Sequence, residues 1–90
     1  MFLFCRNKVK DYEKWRARFD ADADAHEKAG LTLTGLWRAE DNPNDVFFLF
    51  NVKKLADAKS FIDAPDATKQ AEKSGVLEGE YHFVKAEILY

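Results

Sequence analysis

The side chains best suited to proton transfer in this chain are its two histidines, and the first has an acidic neighbour at helical spacing. His26 follows Asp22 by four residues, so on a helix the carboxylate can contact the imidazole, orient it and raise its pKa, as a general base requires. The alternative is a partly solvated histidine near a helix C-terminus, which the helix dipole favours. We predict His26 and Asp22 as catalytic residues and leave this alternative open.

His82 is the third predicted catalytic residue. It shares a predicted strand face with apolar side chains, where a titratable ring needs a partner or a cavity, although a satisfied core histidine also fits this position. The neighbouring Tyr81 is predicted to bind substrate, but side chains alternate along a strand, so it points to the opposite face. The two residues can share one site only where a twist or a bulge turns the chain.

Aromatic residues at helical and strand spacing could line a cavity for a flat aromatic substrate. The predicted substrate-binding residues are Tyr12, Trp15, Phe19, Arg38, Phe48 and Tyr81. The same aromatic stripes also fit a plain hydrophobic core, and both interpretations stay open. Arg6 and Arg38 each share a strand face with apolar neighbours, so each guanidinium needs a carboxylate, either from a ligand or, as we favour, from a salt bridge across a dimer.

The sequence shows little evidence of a binding site for a metal, a cofactor or a polyanion. The two histidines, one cysteine and scattered acids show no metal-ligand spacing beyond Asp22 and His26, and the four glycines form no phosphate-binding loop. We therefore expect no metal and no cofactor. With 14 Lys and Arg against 16 Asp and Glu, the net charge of −2 argues against a nucleic-acid partner.

The lone cysteine and the short apolar runs favour a cytoplasmic protein. Cys5 cannot form an intrachain disulfide, which fits a reducing compartment, and its position within a predicted strand indicates a buried, unreactive thiol. The longest apolar run, residues 46–50, is far shorter than the ~20 residues of a membrane-spanning helix, and the N-terminus lacks the features of a signal peptide. We expect no membrane partner.

The elements that must position these residues follow a βαββαβ order within one domain, residues 1–90. Asp11 is the predicted N-cap of the first helix and Gly30 its predicted end, while Pro65 divides the second helix into two segments. The predicted strands are residues 2–9, 31–40, 45–52 and 80–89, the helical segments lie within 11–30, 55–62 and 66–73, and a turn at 41–45 joins the second and third strands.

The predicted strand at residues 45–52 is apolar on both faces. Phe48 and Phe50 point to one side of it, and Phe47 and Leu49 point to the other. In a chain of 90 residues, helices can cover only one face of such a sheet. Covering the other face with even ~1,000 Å² of contact would remove a large part of the roughly 5,400 Å² expected for a domain of this size. We therefore predict a homodimer built sheet against sheet.

Three stretches of the chain resemble the dimeric α/β-barrel superfamily, the ferredoxin-like group that includes antibiotic-biosynthesis-type monooxygenases. They are VKDYEKWRARFDADADAHEKAGL, LWRAEDNPNDVFFLFNV and ADAKSFIDAPDATKQAEKSGV, and the resemblance covers nearly the whole chain. Such patterns recur in small, mostly uncharacterised bacterial members. The resemblance implies an α+β, ferredoxin-like fold with a four-stranded antiparallel sheet. Two copies would pair into a barrel with the helices outside and a pocket between each sheet and its own helices.

The resemblance says less about chemistry, because the superfamily includes monooxygenases, haem degraders, polyketide cyclases, isomerases and stress proteins. Cofactor-free and haem-degrading members place an Asn, a Trp and a His or Tyr around the substrate. Asn7 matches the Asn, whereas residues 55–73 contain no Trp, Tyr or His. We predict a protein that binds a small apolar or aromatic molecule and acts as a monooxygenase- or cyclase-like enzyme without a cofactor, using His26. The alternative is a non-catalytic binding or stress-associated protein.

Overall fold

The chain folds into four strands and four helices, and the computed structural model describes all of residues 1–90. The elements are β1 (Phe2–Val9), α1 (Tyr12–Ala21), α2 (Ala23–Lys28), β2 (Leu31–Ala39), β3 (Asn42–Val52), α3 (Leu55–Ile62), α4 (Ala67–Lys73) and β4 (Val76–Val84). The strands form one antiparallel sheet in the order β2-β3-β1-β4. This is the predicted ferredoxin-like α+β arrangement, so the prediction of fold class is confirmed.

Local sequence sets the ends of the helices. The Asp11 side chain accepts a hydrogen bond from the backbone N–H of Lys14 at 3.3 Å, which makes it the predicted N-cap. Gly30 and Gly75 have φ values of 74° and 80°, a left-handed conformation that glycine adopts without strain, and each leads from a helix into a strand. None of the helices has the length and apolar character needed to cross a membrane.

The predicted first helix is divided in two at Asp22. This residue is the C-cap of α1 and the N-cap of α2, and its ψ of 8° interrupts the regular helical path. Aspartate is a weak helix former because its short carboxylate competes with the backbone for hydrogen bonds. The His26 N–H still donates a hydrogen bond to the Asp22 carbonyl at 3.0 Å, so the two residues remain one helical turn apart across the break.

Two predicted boundaries are wrong. The turn expected at 41–45 is shorter, because β3 already begins at Asn42, which pairs with Ala39. Within the start of the strand, the Asn44 N–H donates a hydrogen bond to the side-chain oxygen of Asn42 at 3.0 Å. The last strand, expected at 80–89, runs from Val76 to Val84, because these two residues lie opposite the two ends of its partner β1, Val9 and Phe2.

The core lies between the helices and one face of the central strands β1 and β3. Leu3 and Cys5 lie opposite Phe50 and Phe48 in the sheet register, and all four side chains are buried. Trp15 of α1 packs against Phe48, with ring centroids 5.6 Å apart. Successive side chains alternate across the sheet, so the residues between them point away from every helix.

The opposite face of the sheet carries no helix, although its centre is apolar. Phe4, Trp37 and Val84 are 40%, 52% and 39% exposed there, and Phe47 lies between β1 and β2 on the same face. The Trp37 ring lies over Gly35, where an added Cβ would approach the ring to 2.4 Å. The strand predicted at 45–52 is therefore apolar on both faces, as expected. We call this helix-free surface the open face.

Charged residues occupy one end of the open face. Arg6 donates two hydrogen bonds to the Asp45 carboxylate, at 2.9 and 2.8 Å, and this interaction holds the pKa of Asp45 below its usual range. Glu80 lies 3.5 Å from the same guanidinium. The carboxylate expected from a partner across a dimer is thus supplied by the same chain, because β1 and β3 are direct neighbours.

Candidate functional site

A cleft of about 790 Å³ opens between the sheet and the two pairs of helices. Its floor is the helix-bearing face of the sheet, where Leu3, Phe50 and Tyr81 line it. The pair α1 and α2 forms one wall, and the pair α3 and α4 forms the other. Phe61 and Leu77 line the cleft and are also exposed, so the cleft communicates with solvent.

His26 lies in this cleft among three phenylalanine rings. Its ring centroid is 5.0 Å from that of Phe19, 5.2 Å from Phe50 and 5.7 Å from Phe61. Burial lowers the pKa of the imidazole below its usual range, and the Asp22 carboxylate opposes that shift only in part. The expected rise in pKa is therefore wrong in sign, because desolvation outweighs the nearby negative charge.

Neither ring nitrogen of His26 is fully enclosed by protein. Every fully buried side-chain nitrogen or oxygen in the structure has a hydrogen-bond partner. The His26 nitrogens have no partner, so each of them must keep some exposure to solvent. A lowered pKa keeps the imidazole neutral near pH 7, with one nitrogen able to accept a proton and the other able to donate a hydrogen bond. A neutral imidazole of this kind is the form that a general base requires.

Asp22 is shared between two side chains of its own helical wall. The Nε of Arg18 lies 3.5 Å from the Asp22 carboxylate, one helical turn before it, and His26 lies one turn after it. Arg18 also donates a hydrogen bond through its NH2 group to the side-chain oxygen of Gln70 on α4. Asp22 is therefore an electrostatic neighbour of His26, and the carboxylate itself is paired with Arg18.

A second polar pair lies on the floor of the cleft. The Tyr81 hydroxyl donates a hydrogen bond to the side-chain oxygen of Asn7 at 3.1 Å. Burial raises the pKa of Tyr81 above its usual range, so the phenol stays protonated at neutral pH. Asn7 is about 13 Å along β1 from Leu3, the residue opposite Phe50 beneath His26. The cleft thus has polar groups towards both ends and aromatic surface between them.

The one thiol of the chain lies on the floor of the cleft. Cys5 lines its floor but is 1% exposed, and burial raises the pKa of its thiol to about 12. The prediction of a buried cysteine is confirmed, and its low reactivity stays a prediction. No three side chains of His, Cys, Asp or Glu converge in a way that could hold a metal ion.

The cleft brings together six of the nine predicted site residues: Trp15, Phe19, Asp22, His26, Phe48 and Tyr81. The structure does not bring His82 there, because it lies opposite Phe4 in the sheet and points to the open face. Tyr12 and Arg38 also lie outside the lining. The Arg38 guanidinium stacks 3.7 Å from the centre of the Tyr12 ring and donates through Nε to a backbone carbonyl, so it needs no carboxylate.

Three further cleft residues, Arg18, Phe61 and Gln70, were not predicted as site residues. Phe61 continues the apolar spacing of α3, so a helical pattern marks it as inward-facing, but the pattern does not show that it covers His26. Arg18 and Gln70 are 52 residues apart and polar. Only the placement of two helices across the sheet brings them together, and no local spacing signals it.

Several solved structures share this fold at low sequence identity. SnoaB of Streptomyces nogalater, a cofactor-independent oxygenase, aligns with a TM-score of 0.74 at 14% identity, covering 98% of this chain and 93% of its own. A Bacteroides thetaiotaomicron protein aligns at 0.70 and 20% identity (98% and 90% covered), and a Bordetella bronchiseptica protein at 0.74 and 12% (97% and 96%). Both are assigned to the antibiotic biosynthesis monooxygenases.

At identities this low, the likeness establishes the fold. The predicted resemblance to antibiotic-biosynthesis-type monooxygenases is confirmed at that level. No family model matches the chain, and no curated protein matches its sequence significantly. The chemistry must therefore be argued from the cleft itself.

Proposed function

We propose that this chain binds a flat, mostly apolar organic molecule in the cleft. The cleft volume of about 790 Å³ falls within the roughly 300–1,000 Å³ of small-molecule sites. The half-buried Phe19 and the exposed Phe61 give it aromatic surface that suits a planar ligand. His26 and the pair of Tyr81 and Asn7 supply the few polar groups that orient a ligand in an apolar pocket.

His26 is proposed to act as the proton acceptor of this site. The observation that carries the proposal is an unpartnered imidazole, kept neutral by burial, in the wall of an aromatic cleft. A ligand with an acidic O–H or C–H group beside His26 could transfer its proton to the ring. The Asp22 carboxylate would then stabilise the imidazolium that forms, which is the role of the residue that supports a general base.

Proton removal fits a reaction that needs no cofactor. SnoaB, which shares this fold, is a cofactor-independent oxygenase. A phenol that has lost its proton can itself reduce O₂: one oxygen atom replaces the hydrogen of a ring C–H, the ring is oxidised to a quinone, and the other oxygen leaves as water with the ring hydrogen and the phenol proton. The same first step would serve a cyclisation. We therefore propose a cofactor-independent, monooxygenase- or cyclase-like enzyme, and a ligand that binds without reacting would favour the non-catalytic alternative.

The test uses 2-naphthol as a flat, weakly acidic probe and measures its binding by isothermal titration calorimetry. The wild-type protein should bind the probe, and His26→Ala should weaken binding by about tenfold because a hydrogen bond to the ligand is lost. His82→Ala is the matched control, since it removes a histidine from the opposite face. Equal binding by both variants would contradict the role of His26, and no binding by the wild-type protein would contradict the proposed cleft ligand.

The reaction is tested separately by oxygen uptake. An oxygen electrode records O₂ consumption when electron-rich phenols are mixed with the purified protein without added cofactor. Uptake that His26→Ala abolishes and His82→Ala retains would support an oxygenase. Binding of the same phenols without uptake or any conversion detected by mass spectrometry would identify the protein as a carrier.

We also propose that two copies pair through their open faces. About 800 Å² per partner is typical of a stable interface, which is about an eighth of the 6396 Å² surface of this chain. Phe47→Asp places a charge at the centre of that face and should give monomers in analytical ultracentrifugation. Ala56→Asp, on the exposed side of α3, is the control and should leave the dimer intact. A dimer that survives Phe47→Asp would exclude this interface.

A further inference from the structure

The two walls of the cleft touch each other at two places. At one end the His26 ring meets the Phe61 ring edge to face, at 5.7 Å between centroids. At the other end Arg18 of α1 donates a hydrogen bond to Gln70 of α4. No other side-chain hydrogen bond or ion pair joins the pair α1 and α2 to the pair α3 and α4.

The wall formed by α3 and α4 is only lightly anchored to the core. Ala58 is its one buried side chain in α3, and α4 has none. Ile62 at the end of α3 packs against the core while partly buried, and the half-buried Ala67 and Ala71 of α4 line the cleft. Segments with few buried apolar contacts open at a lower free-energy cost than the core does. This wall is therefore the part of the cleft that can move at least cost.

The ends of the wall are suited to such a movement. After β3, the backbone N–H of Lys53 is held by the carbonyl of Gly30 at 2.9 Å, which fixes the start of the wall to the sheet. After α4, Gly75 adopts a positive φ, and its carbonyl accepts a hydrogen bond from the Lys10 N–H at 2.9 Å. Both anchors lie outside the helices, so α3 and α4 can shift between them while the sheet stays in place.

We propose that Arg18 and Gln70 form a latch between the two walls, and that its release opens the cleft to the ligand. This inference rests on the proposed binding function, to which it adds a gate. Releasing the latch leaves no stranded charge, because Arg18 keeps Asp22 as an ion-pair partner on its own helix. Gln70 is neutral and only half-buried, so water can replace Arg18 as its donor. A latch of this kind is weak enough to be reversible.

The latch can be tested without any ligand, because Trp15 lines the cleft and is 3% exposed. Trp37 is the second tryptophan and lies on the open face, so Trp37→Phe leaves Trp15 as the sole reporter. The measurement is quenching of Trp15 fluorescence by acrylamide. Gln70→Ala should raise the quenching constant about threefold to tenfold, the change expected in the open population when one hydrogen bond is lost.

One control variant and one variant with the opposite expected effect accompany this measurement. Lys69→Ala makes the same change one residue earlier in α4, at an exposed side chain without a partner, and should leave quenching unchanged. Gln70→Glu replaces the hydrogen bond by an ion pair with Arg18 and should lower the quenching constant. Equal quenching in the Gln70→Ala and Lys69→Ala variants would overturn the latch. Should Trp37→Phe disturb the fold, the same comparison in the two-tryptophan protein decides it, since Trp37 contributes equally to every variant.

The outcome is separable from that of the proposed function. The rate at which 2-naphthol associates, followed by stopped-flow fluorescence, should rise in Gln70→Ala and fall in Gln70→Glu if the latch gates the ligand. A change in quenching without probe binding would support a moving wall and contradict the proposed ligand. If the probe binds but associates at the same rate with the wild-type protein, Gln70→Ala and Gln70→Glu, the ligand site is supported and the gate is contradicted.

Discussion

Replacing His26 by Phe should make the protein more stable while removing its proposed activity. The three ring contacts of His26, at 5.0 to 5.7 Å, are of the kind that a phenyl ring also makes. The added volume would extend into the cleft, since the imidazole nitrogens are not enclosed. Overpacking, the usual cost of a larger core side chain, is therefore not expected.

The expected size of the effect follows from the apolar surface that is added when the two ring nitrogens are replaced by carbon. Exchanging them for carbon adds roughly 40 Å² of apolar surface, which at about 25 cal/mol per Å² is worth at most ~1 kcal/mol when it is buried. His26 is only partly buried, so we expect an increase of about 0.5–1 kcal/mol in the free energy of unfolding at pH 7.5. Functional residues commonly cost a protein stability in this way.

The pH dependence gives a sharper signature. Burial lowers the pKa of His26 in the folded state below the value of about 6.5 that it has in the unfolded chain. As the pH falls through 6.5, the unfolded state takes up the proton first, so the free energy of unfolding declines until the folded-state pKa is passed. His26→Phe should remove this decline, and its advantage over the wild-type protein should be larger at pH 5.5 than at pH 7.5.

Urea denaturation at both pH values, with every variant at one protein concentration, measures these differences. His82→Phe is the matched control, and it should retain the decline because His26 is still present. A His26→Phe protein that is less stable than the wild type by more than about 1 kcal/mol would refute the reasoning. Such a loss would mean that the imidazole makes a stabilising contact in the fold and is not held for a ligand.

Two further outcomes follow from the buried polar groups on the cleft floor. Cys5 should resist iodoacetamide in the native protein and become alkylated only in urea, as followed by mass spectrometry, because its thiol is buried with a pKa of about 12. Tyr81→Phe should lower the free energy of unfolding by about 1 kcal/mol in urea denaturation, because the Asn7 side chain loses its donor. An unchanged stability would show that water replaces the hydroxyl.

The order of the elements could be predicted from the sequence because local signals agree with the final fold. Asp11, Gly30 and Gly75 mark helix ends by their own side-chain and backbone chemistry, which needs no distant partner. The last strand was misplaced because its limits depend on where β1 begins and ends. The predicted alternation of side chains along the strand was correct even though the boundaries were not.

The candidate site shows a similar division. Trp15, Phe19 and His26 follow one helical stripe, so their common position in the cleft could be predicted from spacing. The sign of the pKa shift at His26 could not, because it depends on Phe50 and Phe61, which desolvate the ring from a different strand and helix. Long-range packing therefore decides the chemistry of a residue whose position is set locally.

The small side chains of α4 provide the strongest argument that the cleft is kept open for a ligand. Ala71 lines the cleft and is half-buried, and a leucine there could fill part of it without leaving the helix. Ala71→Leu should add up to about 1 kcal/mol to the free energy of unfolding and prevent binding of 2-naphthol. Lys69→Leu, at an exposed position of the same helix outside the lining of the cleft, is the control. Should Ala71→Leu bind the probe as tightly as the control does, the ligand site would lie elsewhere. If Ala71→Leu blocks binding and raises the free energy of unfolding, the wild-type protein keeps the cleft unfilled at the expense of stability, as expected of a binding site.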